Sequence, residues 1–302
     1  MGLILLLIGL SVSIYRPDFK DVHSYSVFAE SPNISYTLTN KDTDNNELDK
    51  LIYEPNVHSF TGIAVSNDYG TLSLSAQNID QEKSHIDSST LFDLQLMGHF
   101  RKHIWEAYYQ NYQGLYVSNS SIISSDLPRV NTWSYGIAVK HFSNDSFEAK
   151  ESYGNYSKIK TTNWSLVQGL YLNKSRLYSS KTLVPDQYNA SFSQLEGLKA
   201  LETSTLGIEA GVTGLYSFYN FHISGMLAIG WHVQKQEYSG IHSDDRTVSD
   251  SAVSSLVELG HNGLSGASFG VQVRNQAINI PIKNASYALE RSTFSLYYKY
   301  FF

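Results

Sequence analysis

A strict period of two, held over unusually long stretches, constrains this chain more than any other feature. Phe221 to Val233 shows it best. Its odd positions are Phe221, Ile223, Gly225, Leu227, Ile229, Trp231 and Val233, and its even ones are His222, Ser224, Met226, Ala228, Gly230 and His232. Successive side chains of a strand point to opposite faces, so one face here is apolar with aromatics near its ends, and the other is small or polar. The pattern recurs in 91–101, where Phe92, Leu94, Leu96 and Phe100 oppose Asp93, Gln95 and His99. In 132–141, Trp133, Tyr135, Ile137 and Val139 oppose Thr132, Ser134, Gly136 and Lys140. Soluble sheets alternate too, but their strands are mostly about 5–6 residues long, whereas a tilted membrane strand needs about 9–11. The long segments, together with aromatics at the ends of the apolar face, predict an all-β fold: a transmembrane antiparallel up-and-down barrel.

Composition narrows the functional classes. The 302 residues include no Cys, which excludes disulfides, thiolate metal sites and a cysteine nucleophile. The formal net charge is −6 with Lys and Arg scattered, so there is no basic stripe to meet a nucleic acid. The ten His are dispersed, with no metal spacing except His99 and His103, which a turn separates. Asp42-Thr43-Asp44-Asn45-Asn46 begins like a calcium loop, but Glu47 stands where that loop needs Gly, so a solvated acidic loop is the better reading. No metal and no cofactor are expected. Gly263 to Ala267 nearly spells a nucleophile elbow but lacks its final Gly. The one strongly apolar block, Leu3 to Leu10, is followed by the small residues Ser11-Val12-Ser13. That order reads as a signal peptide over 1–13, with a buried N-terminal helix or strand as the alternative because no basic residue precedes the block. An N-terminal periplasmic segment over 14–30 and a barrel over 31–302 complete the expected organisation.

About twelve strands are expected, near 31–40, 56–67, 69–79, 90–101, 103–112, 131–143, 146–154, 163–174, 203–217, 220–238, 262–277 and 290–302. Short turns fall at 67–70, 101–102, 143–146 and 219–220, and longer polar connections at 41–55, 80–89, 113–130, 175–202 and 239–261. Short and long connections should alternate between the periplasmic and outer ends. They do so up to residue 146, after which the turn near 219 falls on the wrong side. Either a strand between 154 and 204 is miscounted, or one periplasmic connection is long.

Several stretches carry resemblances. Tyr53-Glu54-Pro55-Asn56, Thr61 to Ser66, Phe92 to Leu96 and the tyrosine-rich Glu106 to Tyr116 fall in order as in an uncharacterised family of bacterial outer-membrane barrels, which they resemble. That resemblance implies export and a barrel and supplies no catalytic residues. The C-terminal STFSLYYKYFF places Phe294, Leu296, Tyr298, Tyr300 and Phe302 on one face, which looks like the signal read by the barrel-assembly machinery. His141-Phe142-Ser143-Asn144 resembles the His-x-Ser-Asn of outer-membrane phospholipases and lipid A deacylases, with Asn155 at a spacing similar to that of the phospholipase's orienting Asn. That likeness implies a nucleophile, base and orienter in Ser143, His141 and Asn155. However, 143–146 also reads as a tight Asn-Asp turn, which would carry Asn155 far up the returning strand.

The residues expected to line the lumen are Asp93, Gln95, His99, Lys140, His222, His232, Gln234 and Lys299. They are mixed in sign and bulky, so a narrow or closed interior is expected in a barrel of this size. Three functions follow as expectations. One is a non-enzymatic barrel, structural or lipid-associated, acting as a homo-oligomer in contact with outer-membrane lipid. The others are a small-solute channel and a lipid acyl hydrolase using Ser143 and His141.

Overall fold

The structure, a computed structural model, describes residues 22–40, 50–56, 59–67, 69–77, 89–118, 129–147, 162–241, 245–262, 267–282 and 285–301. They form β1 (Val22–Asn40), β2 (Lys50–Glu54), β3 (Phe60–Asn67), β4 (Gly70–Gln77), β5 (Thr90–Phe100), β6 (His103–Val117), β7 (Val130–Phe142), β8 (Asn163–Ser179), β9 (Ala200–Phe218), β10 (Phe221–Ser239), β11 (Arg246–Asn262), β12 (Ala267–Ile282) and β13 (Ala285–Phe301). Each pairs antiparallel with its neighbours, and β13 returns to β1 from Ser24↔Phe301 to Asn40↔Ala285, closing the sheet on itself. Closure leaves no strand at a free edge of the sheet among the described residues.

The ring changes size along its axis. At one level β1 is followed by β3, β4, β5 and β6, giving twelve strands around the barrel. At the other level β2 lies directly between β1 and β6, pairing Tyr36↔Tyr53 on one side and Tyr53↔Val117 on the other. The hairpin of β4 and β5 is thus a short wedge set between β3 and β6. Above it, β2 shortens the circuit to ten strands.

Turn chemistry fixes the register at the short-turn end. The Asn67 side-chain oxygen accepts the backbone N–H of both Tyr69 and Gly70 at 2.9 Å, a side-chain mimic of a backbone turn. Arg101 and Tyr219 hold φ of 53° and 50° in the two-residue links of β5 to β6 and β9 to β10, where a right-twisted hairpin needs a left-handed residue.

Three sequence expectations are corrected. Residues 22–30, assigned to a periplasmic segment, are the lower half of β1. Their inward side chains are Ser24, Ser26, Phe28 and Glu30, and the inward Phe28 beside the outward Val27 breaks the apolar-polar alternation that advertises a strand. The strand at 146–154 is absent as a wall element, because β7 pairs directly with β8 from Val130↔Ser179 to Phe142↔Val167. Residues 148–154 lie outside the described residues, as do 1–21. The connection 239–261 instead contains β11, whose outward Ser249, Ser251 and Ser255 diluted its hydrophobicity. One strand invented and one missed left the count at twelve. The long connection from 143 to 162 resolves the broken alternation of turns.

Outward positions carry the apolar belt. Ile137, Leu166, Leu170, Ile208, Leu227, Ile229, Val257 and Leu296 are all exposed, Ile229 at 67%. Tyr25, Phe100, Trp105, Trp164, Tyr216, Phe218, Phe221, Phe269, Tyr298 and Tyr300 gather at the short-turn end, and Phe92, Tyr109, Tyr135 and Trp231 lie further along the strands. Trp105 lies flat over Gly98 on the neighbouring strand, a position where any Cβ would fall inside the indole. A closed sheet with a greasy exterior, aromatic girdles and a polar interior is built for hydrocarbon surroundings, and antiparallel barrels of this kind occupy the bacterial outer membrane. The protein is an outer-membrane barrel, with the short-turn end periplasmic.

Candidate functional site: the lumen

The outer mouth is closed by apolar packing. Residues 180–199, which link β8 to β9, fold through two short 3-10 turns (Asp186–Tyr188 and Ser193–Leu195). Leu183, Val184, Tyr188, Phe192, Leu195 and Leu198 of this segment are buried against Leu38 of β1, Leu51 and Tyr53 of β2, and Ile280 and Ile282 of β12. The segment therefore spans the mouth. Two polar ties anchor its far side: Asn40 donates to the Ser191 carbonyl at 2.5 Å, and the Tyr53 hydroxyl donates to the Leu183 carbonyl. This dome buries some of the largest side chains in the molecule where a porin keeps its entrance.

Beneath the dome the inward positions turn polar. A cavity of about 340 Å³ is lined by residues including Glu106, Tyr108, Lys140, Asn173, Glu209, His232, Gln234 and Arg274. A second, of about 150 Å³, shares Thr71, Ser73, Gln95, Gln272, Arg274 and Arg291 with it. Together they form one chamber. Its charges are mostly paired. Arg291 donates to Asp93 at 2.7 Å, Gln110 donates to the same carboxylate at 2.9 Å and Gln95 at 3.3 Å. Lys140 lies 3.4 Å from Glu106 and 3.6 Å from Glu209. Glu258 accepts from Tyr297 at 2.7 Å and Gln272 at 3.2 Å, and His222 stands 3.3 Å away. Burying these groups costs free energy unless each finds such partners, which is why both signs face inward together.

Rings lie flat on this inner wall. Tyr108 covers Gly136, Tyr171 covers Gly207, His222 covers Gly260 and Tyr297 covers Gly270, each at a site with no room for a Cβ. The glycines keep bulky side chains against the wall and leave the chamber its volume.

The periplasmic end is two-sided. Ile104, Phe142, Val167, Leu215, Met226 and Leu256 of β6 to β11 form an apolar arc, and Phe147 from the long connection stacks on Phe142 at 5.4 Å. The opposite arc carries Ser24, Ser26, Ser66 and Ser268, all buried. The second cavity reaches that arc at Ser26, Ser66 and Lys299. Hydroxyls, unlike the dome, tolerate water.

The structure places Asp93, Gln95, His99, Lys140, His222, His232, Gln234 and Lys299 on the inner wall. His232 faces the Tyr171 hydroxyl at 3.4 Å, Gln234 donates to Thr205 at 2.9 Å, and Lys299 lies 5.6 Å over the Tyr297 ring. Phe294, Leu296, Tyr298 and Tyr300 face outward; Phe302 lies outside the described residues.

His141 and Ser143 are on the outer side, at the periplasmic rim. The His141 ring meets His103 across the strand pair, Nδ1 to Nε2 at 3.2 Å. Ser143 is exposed, and its backbone N–H donates to the Leu166 carbonyl at 3.0 Å. Asn155 lies outside the described residues. Asn144 is the hub of this turn: its amide donates to Asn163 and the Trp164 carbonyl, and its oxygen accepts the Ser146 N–H at 2.9 Å. That turn directs Phe147 into the barrel.

Sequence reading missed Arg274, Arg291, Glu258 and Glu209 as lumen residues. Alternation reaches them from Val273, Leu296, Val257 and Ile208, but the neighbouring outward positions Asn275, Ser292 and Ala210 are not apolar enough to announce a face.

No family model matches the chain, and no curated protein matches it. Solved structures similar to it include the outer-membrane protease OmpT of Escherichia coli, at 10% identity over 96% of this chain and 99% of that one, with a TM-score of 0.40. The beta domain of the Bordetella autotransporter BrkA is 9% identical over 93% and 100%, with a TM-score of 0.38. The transport unit of the autotransporter AIDA-I from Escherichia coli is 9% identical over 99% and 97%, with a TM-score of 0.35. At this distance such likenesses carry no argument about what the chain does.

Proposed function

We propose that the protein is a non-enzymatic, non-conducting outer-membrane barrel that works through its surfaces, in contact with outer-membrane lipid and with copies of itself. The dome carries this reading. A conducting pore needs a hydrated path, and the outer mouth is filled by mutually buried Leu, Tyr and Phe side chains. Single-channel recording in planar bilayers tests it: the reading expects no stepwise conductance across the accessible voltages, and regular steps would sink it.

Self-association has a separate motive. On the outer wall of β11 to β13 a polar ladder interrupts the apolar belt, with Ser292 donating to Asn275 at 2.6 Å and Asn275 to Ser255 at 3.3 Å. Such groups face lipid at a cost that contact with another barrel offsets. Native mass spectrometry after gentle extraction should show a fixed multiple of the chain mass with retained lipid. A bare monomer would count against assembly.

The small-solute channel remains the second reading, favoured by the chamber itself, and it requires the dome to move. The hydrolase reading has one decisive check, since fatty-acid release should disappear in Ser143→Ala if that serine is a nucleophile.

A further inference from the structure

We infer that the chamber is a binding site for a small organic carboxylate with an apolar body, held at Arg274 and Arg291 beneath the dome. This goes beyond the proposal of a sealed barrel, which needs no ligand.

The argument begins with charge. Asp93 is held through one oxygen by Arg291, Glu258 by Tyr297, Gln272 and His222, and Glu30 accepts from Ser295 at 3.1 Å and lies in the field of Arg291 and Arg274. Glu106 and Glu209 share Lys140. Arg274 lines both cavities and makes no ion pair within 4.0 Å among the described residues, so its guanidinium donors are not taken up by a contact carboxylate, although Glu30 lines the second cavity with it and interacts with it at longer range. Beside it, the Arg291 Nε and the Thr293 hydroxyl are buried without a hydrogen-bond partner. These groups belong together. Arg274 pairs in register with Thr293, and Arg291 with Gln276, one step further along the same strands. Two guanidinium groups and a hydroxyl on one patch of wall form a donor set suited to an oxyanion, because guanidinium matches a carboxylate or phosphate through parallel N–H donors.

What stands above the patch selects between oxyanions. Toward the dome the inward positions become Ile34 and Tyr36 on β1, Ile278 and Ile280 on β12, and Tyr287 and Leu289 on β13. The Tyr36 and Tyr287 rings lie 6.0 Å apart. An inorganic anion would leave this roof unused, whereas a carboxylate with an aromatic or branched apolar body would fill it. The cavity of about 340 Å³ lies within the range of small-molecule sites, about 300–1,000 Å³. The serine-lined arc, which the second cavity reaches, is the polar approach from the periplasmic side.

Titration calorimetry on the folded barrel in detergent tests this with three probes. Benzoate carries both parts, inorganic phosphate only the charge, and benzyl alcohol only the apolar body. The expected result is saturable benzoate binding near one per chain, stronger than either partial probe. Arg274→Gln should weaken benzoate by at least about tenfold, the scale of a hydrogen bond to a charged group. Because Arg274 has no ion-pair partner, that variant should keep the heat-sensitive mobility of a folded barrel. Ile278→Ala offers a second route that leaves every charge in place, and should weaken benzoate while sparing phosphate. No saturable benzoate binding by the unaltered protein, equal binding by Arg274→Gln, or phosphate binding as tight as benzoate would each overturn the inference. None of these results bears on conductance, so the sealed-barrel proposal stands or falls separately.

Discussion

The outer and inner halves of the lumen answer the same geometric problem in opposite ways. In both, every second side chain of a strand must point inward. Near the outer mouth those positions are Leu38, Leu115, Val117, Leu177 and Ile282, and a folded segment lies across them. Lower down they are Asp93, Lys140, Glu209, Glu258 and Arg291, held by one another. The first arrangement is stabilised by excluded water and resists opening as a unit. The second is stabilised by specific pairs and tolerates water between them. Hydrophobic packing by a folded segment belongs to the outer mouth, whereas the other end is apolar on one arc and hydroxyl-lined on the opposite one.

Charging the dome should give the largest effect. Leu183→Asp puts a carboxylate among fully buried aliphatics, and we expect a loss of more than about 3 kcal/mol together with the appearance of conductance. Denaturation in lipid vesicles and bilayer recording would report both, and a silent, fully stable variant would show that the dome is not the barrier.

The polar half breaks differently. Asp93→Asn leaves the Arg291 guanidinium buried without its carboxylate, at a cost of about 3 kcal/mol. The double variant Asp93→Asn with Arg291→Gln should recover part of that loss. If the two single changes simply add, the pair is not coupled and the contrast with the dome weakens.

A smaller effect belongs to the outer wall. Gly98→Ala displaces the Trp105 ring and should cost about 1–2 kcal/mol, visible as a lower unfolding midpoint. Smallest of all, Ser143→Ala should change stability by less than about 0.5 kcal/mol, since the exposed residue holds its turn through its backbone.

The same contrast explains what could be read from the sequence. β10 was legible because its outward face is Phe, Ile, Leu and Trp while its inward face is small. β11 was not, because Ser stands at Ser249, Ser251 and Ser255, so hydrophobicity fell even though the period persisted. The stretch from 146 was misread because Phe147 begins an apparent alternation, yet the ring turns into the lumen to pack on Phe142 rather than joining the wall. Individual lumen residues follow from parity alone. Their grouping does not: Asp93 and Arg291 stand 198 residues apart in the sequence, and only closure of the sheet brings them to 2.7 Å. The dome was invisible for another reason. Residues 180–199 have no period, and their buried leucines lie scattered among polar residues that read as a loop.

That closure also sets the order of events in assembly. Ser24, near the start of the first strand, pairs with Phe301 of the last, so one long edge of β1 has no partner until β13 is in place. The seam from Ser24↔Phe301 to Asn40↔Ala285 joins residues very far apart in sequence, the kind of contact that forms slowly. An incomplete chain therefore carries an unpaired edge and a half-built chamber at once. Whatever delivers the protein to its membrane must shield that edge for the whole interval, and release it only when the final strand arrives.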